Sequence, residues 1–279
     1  MMQSANDKHK QNSAGPQINS NPQLQDYSGG STRHFGCWKC DTYRSFPPSE
    51  GLRSMEDKMA EALTLPPESQ MLDAGCGVGH VALRMANKHG LRVEAIDIVD
   101  HHVATAQRNL RNVERVRLPQ GAVRVRQMDY RHLKSFADES LDGIYTNRET
   151  FVHATDPKAV LAGFCRILRP VGHLAQFEYD YNILDTAPWD IAASMVQINR
   201  YSAMPTNAIS HPGVFKEMLE EAGFENVIVR DYLDTIRPMT RVFFLAVVPY
   251  LFHSLVQNRA LGISSLQWDH TGAESISTT

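Results

Sequence analysis

Asp73, Gly75, Gly77 and Gly79 stand at alternate positions in Met71-Leu72-Asp73-Ala74-Gly75-Cys76-Gly77-Val78-Gly79-His80, and Asp97 closes the run Val93-Glu94-Ala95-Ile96. Glycines let a backbone approach a ligand closely, and a carboxylate ending the next apolar run accepts hydrogen bonds from ribose hydroxyls. That is nucleoside-binding chemistry, and the spacing separates two kinds of nucleoside. A dinucleotide fingerprint reads G-x-G-x-x-G and seats a pyrophosphate on a helix N-terminus. Here the third glycine comes one residue early, His80 takes its place, and Asp73 precedes the turn. A carboxylate there repels a diphosphate and suits a cation. S-adenosylmethionine carries a sulfonium and an ammonium and no phosphate. The residues therefore point to it as cofactor, with Asp73 and the loop backbone at its methionine end and Asp97 on its ribose.

Two more polar residues end predicted strands. Asp129 follows the run 123–128 and is placed to accept from the adenine amino group, with Tyr130 beside the ring. Asn147 follows the run 141–146. Open parallel sheets bind ligands at the carboxyl ends of their strands, which puts Asp73, Asp97, Asp129 and Asn147 around one crevice. Methyl transfer from a sulfonium mainly needs the partners held in line, and a base only where the acceptor must lose a proton. Glu149 and His153 are the catalytic candidates: four residues apart, they share a face if Glu149-Thr150-Phe151-Val152-His153-Ala154 makes a helical turn. The same spacing suits a surface salt bridge or a structural histidine. His34 and Tyr43 are weaker candidates. No metal is expected. His101 and His102 are neighbours that do not face each other on a helix, and Cys37-Trp38-Lys39-Cys40 lacks a second pair.

The elements that must position these residues follow from periodicity. Helices are predicted over 50–63, 79–89, 102–112, 157–168, 191–200 and 214–222. Strands are predicted over 70–73, 92–98, 123–128, 141–146, 173–178 and 226–230. Regular strand–helix alternation argues for an α/β fold with a doubly wound, mostly parallel sheet and helices on both faces. The stretch 179–210 reads as an insertion that covers the crevice, joined by 238–255. Trp189, Ile191, Met195, Ile198, Phe243, Phe244 and Leu251 are candidates for an acceptor pocket or for plain core. Residues 1–28 read as a disordered tail rich in Gln, Asn, Ser and Pro, 29–256 as the catalytic domain, and 257–279 as a polar tail.

Bulk properties narrow the function classes. The chain has 279 residues, 42% of them apolar, a net charge of -3 and four cysteines. A charge this close to zero gives no reason to expect nucleic acid, and the cluster Arg108, Arg111, Arg115, Arg117, Arg124 and Arg126 reads as solvated surface. Four cysteines in a chain this long are no disulfide framework, and no targeting segment is visible, which points to the cytoplasm. The apolar run 242–252 is too short to span a bilayer and contains Pro249, which leaves a weak membrane-surface contact as a secondary reading.

Taken together, several segments resemble class I S-adenosylmethionine-dependent methyltransferases, and within them the sterol-methyltransferase-like branch that includes fungal natural-product enzymes. They are Gly30-Ser31-Thr32-Arg33-His34-Phe35-Gly36, the glycine-rich turn, Ile96-Asp97-Ile98-Val99-Asp100-His101-His102, Met128-Asp129-Tyr130 and Glu149-Thr150-Phe151-Val152-His153-Ala154-Thr155-Asp156. The resemblance covers 29–249. It implies a Rossmann-like sheet with an inserted lid and a lipophilic acceptor (a polyketide, terpenoid or sterol) methylated at oxygen or carbon. The alternative is a protein of the same fold that binds the cofactor and acts as a cyclase or a non-catalytic partner. The chain departs from the family at three points, of which the last two favour keeping it. Val171 stands where the family has the middle residue of Pro-Gly-Gly, Arg148 replaces an apolar residue, and the polar C-terminus lacks the family's last antiparallel strand. Strand seven is then missing or supplied by 242–248.

Overall fold

The computed structural model describes residues 35–39, 49–114, 122–146, 150–179, 187–205 and 210–260. Five strands, β1 (Gln70–Ala74), β2 (Arg92–Asp97), β3 (Val123–Gln127), β4 (Leu141–Thr146) and β5 (Leu168–Gln176), form one sheet in the order β3-β2-β1-β4-β5. Every pairing is parallel. β1 and β4 are buried along nearly their whole length because both of their faces are covered, as parallel sheets require.

Helices α1 (Ser49–Leu63), α2 (His80–His89) and α3 (Asp100–Glu114) cover one face. Met59, Leu63, Val81, Met85 and Val113 pack there against Met71, Val93, Ala95 and Tyr145. The other face carries α4 (Pro157–Ile167) and α6 (Pro212–Glu221), with Leu161, Phe164 and Met218 against Leu72, Ile96 and Ile144. The helix stripes fit the 3.6 period, and local signals set their ends. Asp156 caps α4 by accepting from the Ala159 N–H, and Gly90, in the left-handed region, ends α2. α1 is fixed to α2 by Arg84, whose guanidinium lies 2.9 Å from Glu56 and 2.8 Å from Asp57.

The doubly wound sheet is as expected, and the differences lie towards the C-terminal end. β5 starts at Leu168, five residues before the predicted strand, because it pairs with β4 across an irregularity between Leu141/Leu168 and Gly143/His173. Val171 sits in that irregularity at φ +62° and is 96% exposed. The expected strand over 226–230 does not form, and Ile228 and Val229 face solvent. The segment weighed as strand seven is helix instead. It belongs to α7 (Leu233–Ala260), which contains Pro238 and Pro249, and among the described residues no helix is long and apolar enough to cross a membrane. The predicted insertion carries α5 (Trp189–Tyr201), none of whose residues is buried.

Segment 35–39 ties the molecule together. Trp38 lies between Gly36 and Gly51, where a Cβ on either glycine would fall inside its ring, and its backbone N–H donates to the Thr235 carbonyl at 3.0 Å. Phe35 meets Tyr179 and Phe243 edge-on at 5.8 and 6.0 Å. Cys37 is buried as a free thiol, and Cys40, its sequence partner, lies outside the described residues, as do His34 and Tyr43.

Candidate active site

The glycine turn leaves the end of β1 and is bolted to β2. The N–H groups of Gly75 and Cys76 both donate to the Ile96 carbonyl, at 2.9 and 2.8 Å. On the other side, Asn109 of α3 donates to the Val78 carbonyl at 3.0 Å. Gly75, Gly77 and Gly79 have φ of +99°, +53° and +83°, a region that L side chains rarely adopt. Gly75 and Gly77 differ in what lies beside them. A Cβ on Gly75 would fall inside the Thr150 side chain, so this glycine lets the 150–153 turn close down on the loop. A Cβ on Gly77 would meet nothing within 4 Å, so its face of the loop is open to a ligand. Gly79 faces Ala106 of α3, at 3.1 Å from a hypothetical Cβ.

Asp97 ends β2 under this loop and is 8% exposed. Its Oδ2 accepts from the Gly77 N–H at 2.8 Å, its Oδ1 from the Val99 N–H at 2.8 Å, and His102 Nδ1 lies 3.3 Å from Oδ1. The carboxylate thus positions the loop before any ribose reaches it. A carboxylate has about four lone-pair sites, so acceptor capacity remains. His102, weighed in the sequence only as a metal ligand, is a neighbour of this acid.

Asp73 is buried, and Tyr145, its register partner on β4, donates its hydroxyl to Asp73 Oδ2. Asp73 Oδ1 is shielded from water and has no hydrogen-bond partner among the described residues. Burial pushes the carboxyl up to about 7; the Tyr145 hydrogen bond opposes this, and the charge of Asp97 adds to it. Cys76 lies within the turn and His80 follows it, at the start of α2. Burial, with Asp73 and Asp97, raises the thiol of Cys76, and burial lowers His80 to about 4, so its ring is neutral.

Asp129 and Tyr130 sit beyond β3 as expected, but both already have partners. Arg131 holds the Asp129 carboxylate with Nε at 2.9 Å from each oxygen and its own N–H at 2.9 Å. Burial works against the charge, and these Arg131 hydrogen bonds outweigh it, so the carboxyl lies below its ordinary value. The Tyr130 hydroxyl donates to the Thr150 carbonyl at 2.7 Å, and its ring lies 6.4 Å from that of Phe164. Tyr130 therefore ties the end of β3 to the 150–153 turn.

His153 ends a short 3-10 turn, Phe151–His153. Its Nδ1 lies 2.8 Å from the Ala203 carbonyl beyond α5. A carbonyl only accepts, so Nδ1 carries the proton and, in the neutral ring, Nε2 keeps its lone pair. Asn147 and Glu149, and with them the proposed Glu149–His153 pair, lie outside the described residues, as does Arg148. Trp189, Ile191, Ile198, Phe243 and Phe244 are exposed, Met195 is half-buried, and the Leu251 side chain is outside the described set. The exposed five form surface, where the sequence left core and pocket lining open.

Sequence reasoning missed Tyr145, Thr146, Thr150 and Gln176 at this edge. Tyr145 was detectable in principle, because a tyrosine within a buried strand needs a partner for its hydroxyl.

The comparisons with known proteins agree with this geometry. Residues 72–176 match the methyltransferase domain family. The chain is 40% identical over 231 residues to the S-adenosyl-L-methionine-dependent Diels-Alderase iccD of Talaromyces variabilis, covering 81% of this chain and 77% of that protein. It is 44% identical over 231 residues to the S-adenosyl-L-methionine-dependent Diels-Alderase iliD of a Neonectria species, covering 76% and 86%. The O-methyltransferase resE of Aspergillus sclerotiorum is 26% identical over 212 residues, covering 75% and 74%. Among solved structures, the fold is similar to the cyclase SpnF, with TM-score 0.61, 24% identity, and 78% and 73% covered. It is also similar to the geranyl diphosphate C-methyltransferase of Streptomyces coelicolor, with TM-score 0.59, 16% identity, and 78% and 85% covered. S-adenosylmethionine fits the site on two observations: the open face at Gly77 admits a ligand to the loop, and the orphaned Asp73 oxygen is an acceptor with no donor among the described residues. With this sheet, this turn and these relatives, the chain belongs to the class I S-adenosylmethionine-dependent methyltransferase family, in its fungal natural-product branch.

Proposed function

We propose that the chain is an S-adenosylmethionine-dependent cyclase that closes a ring on a lipophilic polyketide-type substrate by intramolecular cycloaddition. The observation that carries this reading is the gap in identity: 40% and 44% to two Diels-Alderases, against 26% to an O-methyltransferase. In this reading the Gly77 face of the loop and Asp73 receive the methionine end of the cofactor, and Asp97 receives its ribose. The bound cofactor supplies a fixed positive charge at sulfur, which favours negative charge developing on a nearby oxygen. The protein folds the substrate so that diene and alkene meet, which removes most of the entropic barrier of a unimolecular closure.

The test is incubation with a linear trienone, in which a diene is tethered by a short methylene chain to an alkene conjugated to a ketone. The expected product is a bicyclic ketone of unchanged mass, formed faster than in buffer. A rate equal to that in buffer counts against the proposal.

His153 supports a second reading. Its free Nε2 lone pair suits removal of a proton from a hydroxyl acceptor, as O-methylation requires. Under that reading His153→Ala lowers turnover and leaves cofactor affinity unchanged. A product heavier by one methylene identifies it.

A further inference from the structure

Apart from Asn147, which lies outside the described residues, the residues assigned to the cofactor lie on or just beyond β1, β2 and β3, one half of the sheet. The half formed by β4 and β5 carries polar groups with no use so far. Thr146 and Gln176 end these two strands and are register partners. Thr146 is fully buried, and its Oγ1 has no hydrogen-bond partner among the described residues. The Oε1 and Nε2 of Gln176 are both shielded from water and equally without partner. Strand alternation puts the two side chains on one face, together with Ile144 and Leu174. A buried polar group left without a partner is destabilising, so a ligand that supplies the partner is favoured there. Three such atoms meet at the carboxyl edge of the sheet, beside the point between β1 and β4 where strand order reverses, which is where open α/β sheets take ligands.

We propose that Gln176 and Thr146 bind a carbonyl oxygen of the substrate, with the Gln176 Nε2–H as donor to it and the Thr146 hydroxyl as second donor. The assignment rests on the cyclase reading for its catalytic consequence. The Gln176 amide and the Thr146 hydroxyl are both neutral donors. That combination suits a neutral ketone or enone oxygen and disfavours a carboxylate or phosphate. In the cycloaddition two carbon–carbon σ bonds form as three π bonds become one, with no atom gained or lost and no proton moved. Electron density flows from the diene into the enone, its oxygen becomes more negative, and a hydrogen bond there strengthens in the transition state.

Gln176→Leu and Thr146→Val test this in two arms. Replacing orphaned groups by apolar ones leaves Tm equal or raises it, whereas a structural hydrogen-bonding role predicts a fall. Affinity for adenosylhomocysteine stays unchanged. In the first arm, kcat for the trienone falls about tenfold or more in Gln176→Leu; a wild-type rate overturns the proposal. The second arm reads binding without turnover, from the infrared carbonyl stretch of isotopically labelled decalone, a saturated bicyclic ketone, bound to the protein with adenosylhomocysteine. The stretch lies lower in wild type than in Gln176→Leu. Equal frequencies, or no binding of decalone to wild type, overturn the proposal. A lowered stretch without trienone turnover keeps the carbonyl site and removes the cyclase reading.

Discussion

Asp73 is the residue whose chemistry depends most on what binds beside it. Its folded value of about 7 lies above the ordinary 3.8, so between those values the folded protein holds a proton that the unfolded chain has lost. Stability from this group is therefore fully present below pH 4 and is lost as pH rises to about 7. Asp73→Asn keeps an acceptor for Tyr145 and removes the penalty. Its melting temperature should exceed that of wild type at pH 8 and approach it at pH 4. A cation beside Asp73 favours ionisation, so adenosylmethionine affinity should rise with pH from 5 to 7, with proton release visible by calorimetry in two buffers, and both effects should vanish in Asp73→Asn. Asp97 answers to a different test. Asp97→Ala removes the acceptor shared by Gly77, Val99 and the ribose, and should weaken adenosylhomocysteine binding by about 100-fold. His153→Ala should leave that affinity unchanged, and equal losses in both variants would contradict this division of roles. The types of Asp73 and Asp97 were legible in the sequence because their spacing has a mechanism. The partners of Asp129 and Tyr130 were not, because Arg131 and the Thr150 carbonyl reach them only through local geometry and folding.

At the scale of elements, α2, α3, α4 and the strands β1 to β4 were readable almost to the residue, since each has one apolar face or a buried run with a turn at its end. The C-terminal elements were not. Residues 226–230 have the composition of a strand but find no neighbouring strand among the described residues, so propensity alone does not order them into the sheet. The run 242–252 is apolar on every side, and such a run does not distinguish strand from helix by periodicity. The Pro170-Val171-Gly172 turn, expected ahead of the strand, falls inside β5. Val171 occupies the left-handed region that the family's glycine would occupy. Val171→Gly should relieve about 1–2 kcal/mol of backbone strain. Set against the greater unfolded-state entropy of glycine, this leaves a net gain of about 0.5–1 kcal/mol. Chemical denaturation measures it, and a loss of stability would mean that the turn is held by contacts of the valine side chain.

Over the whole molecule, the reversal of strand order between β1 and β4 divides the work. One half holds the cofactor at a loop with an open glycine face, and the other ends in polar groups suited to a neutral substrate oxygen. Under the proposed cyclase function, this division lets a methyltransferase fold serve an isomerisation: the donor half stays, and the acceptor half changes its task. The family was legible from the glycine turn and its neighbouring motifs, whereas the reaction was not, because positioning a substrate leaves no spacing rule in sequence. The most direct measurement is a count of adenosylhomocysteine formed per molecule of product over many turnovers with adenosylmethionine present. The account predicts none, with a product of the same mass as the substrate. One adenosylhomocysteine per turnover, with a product heavier by one methylene, would contradict it.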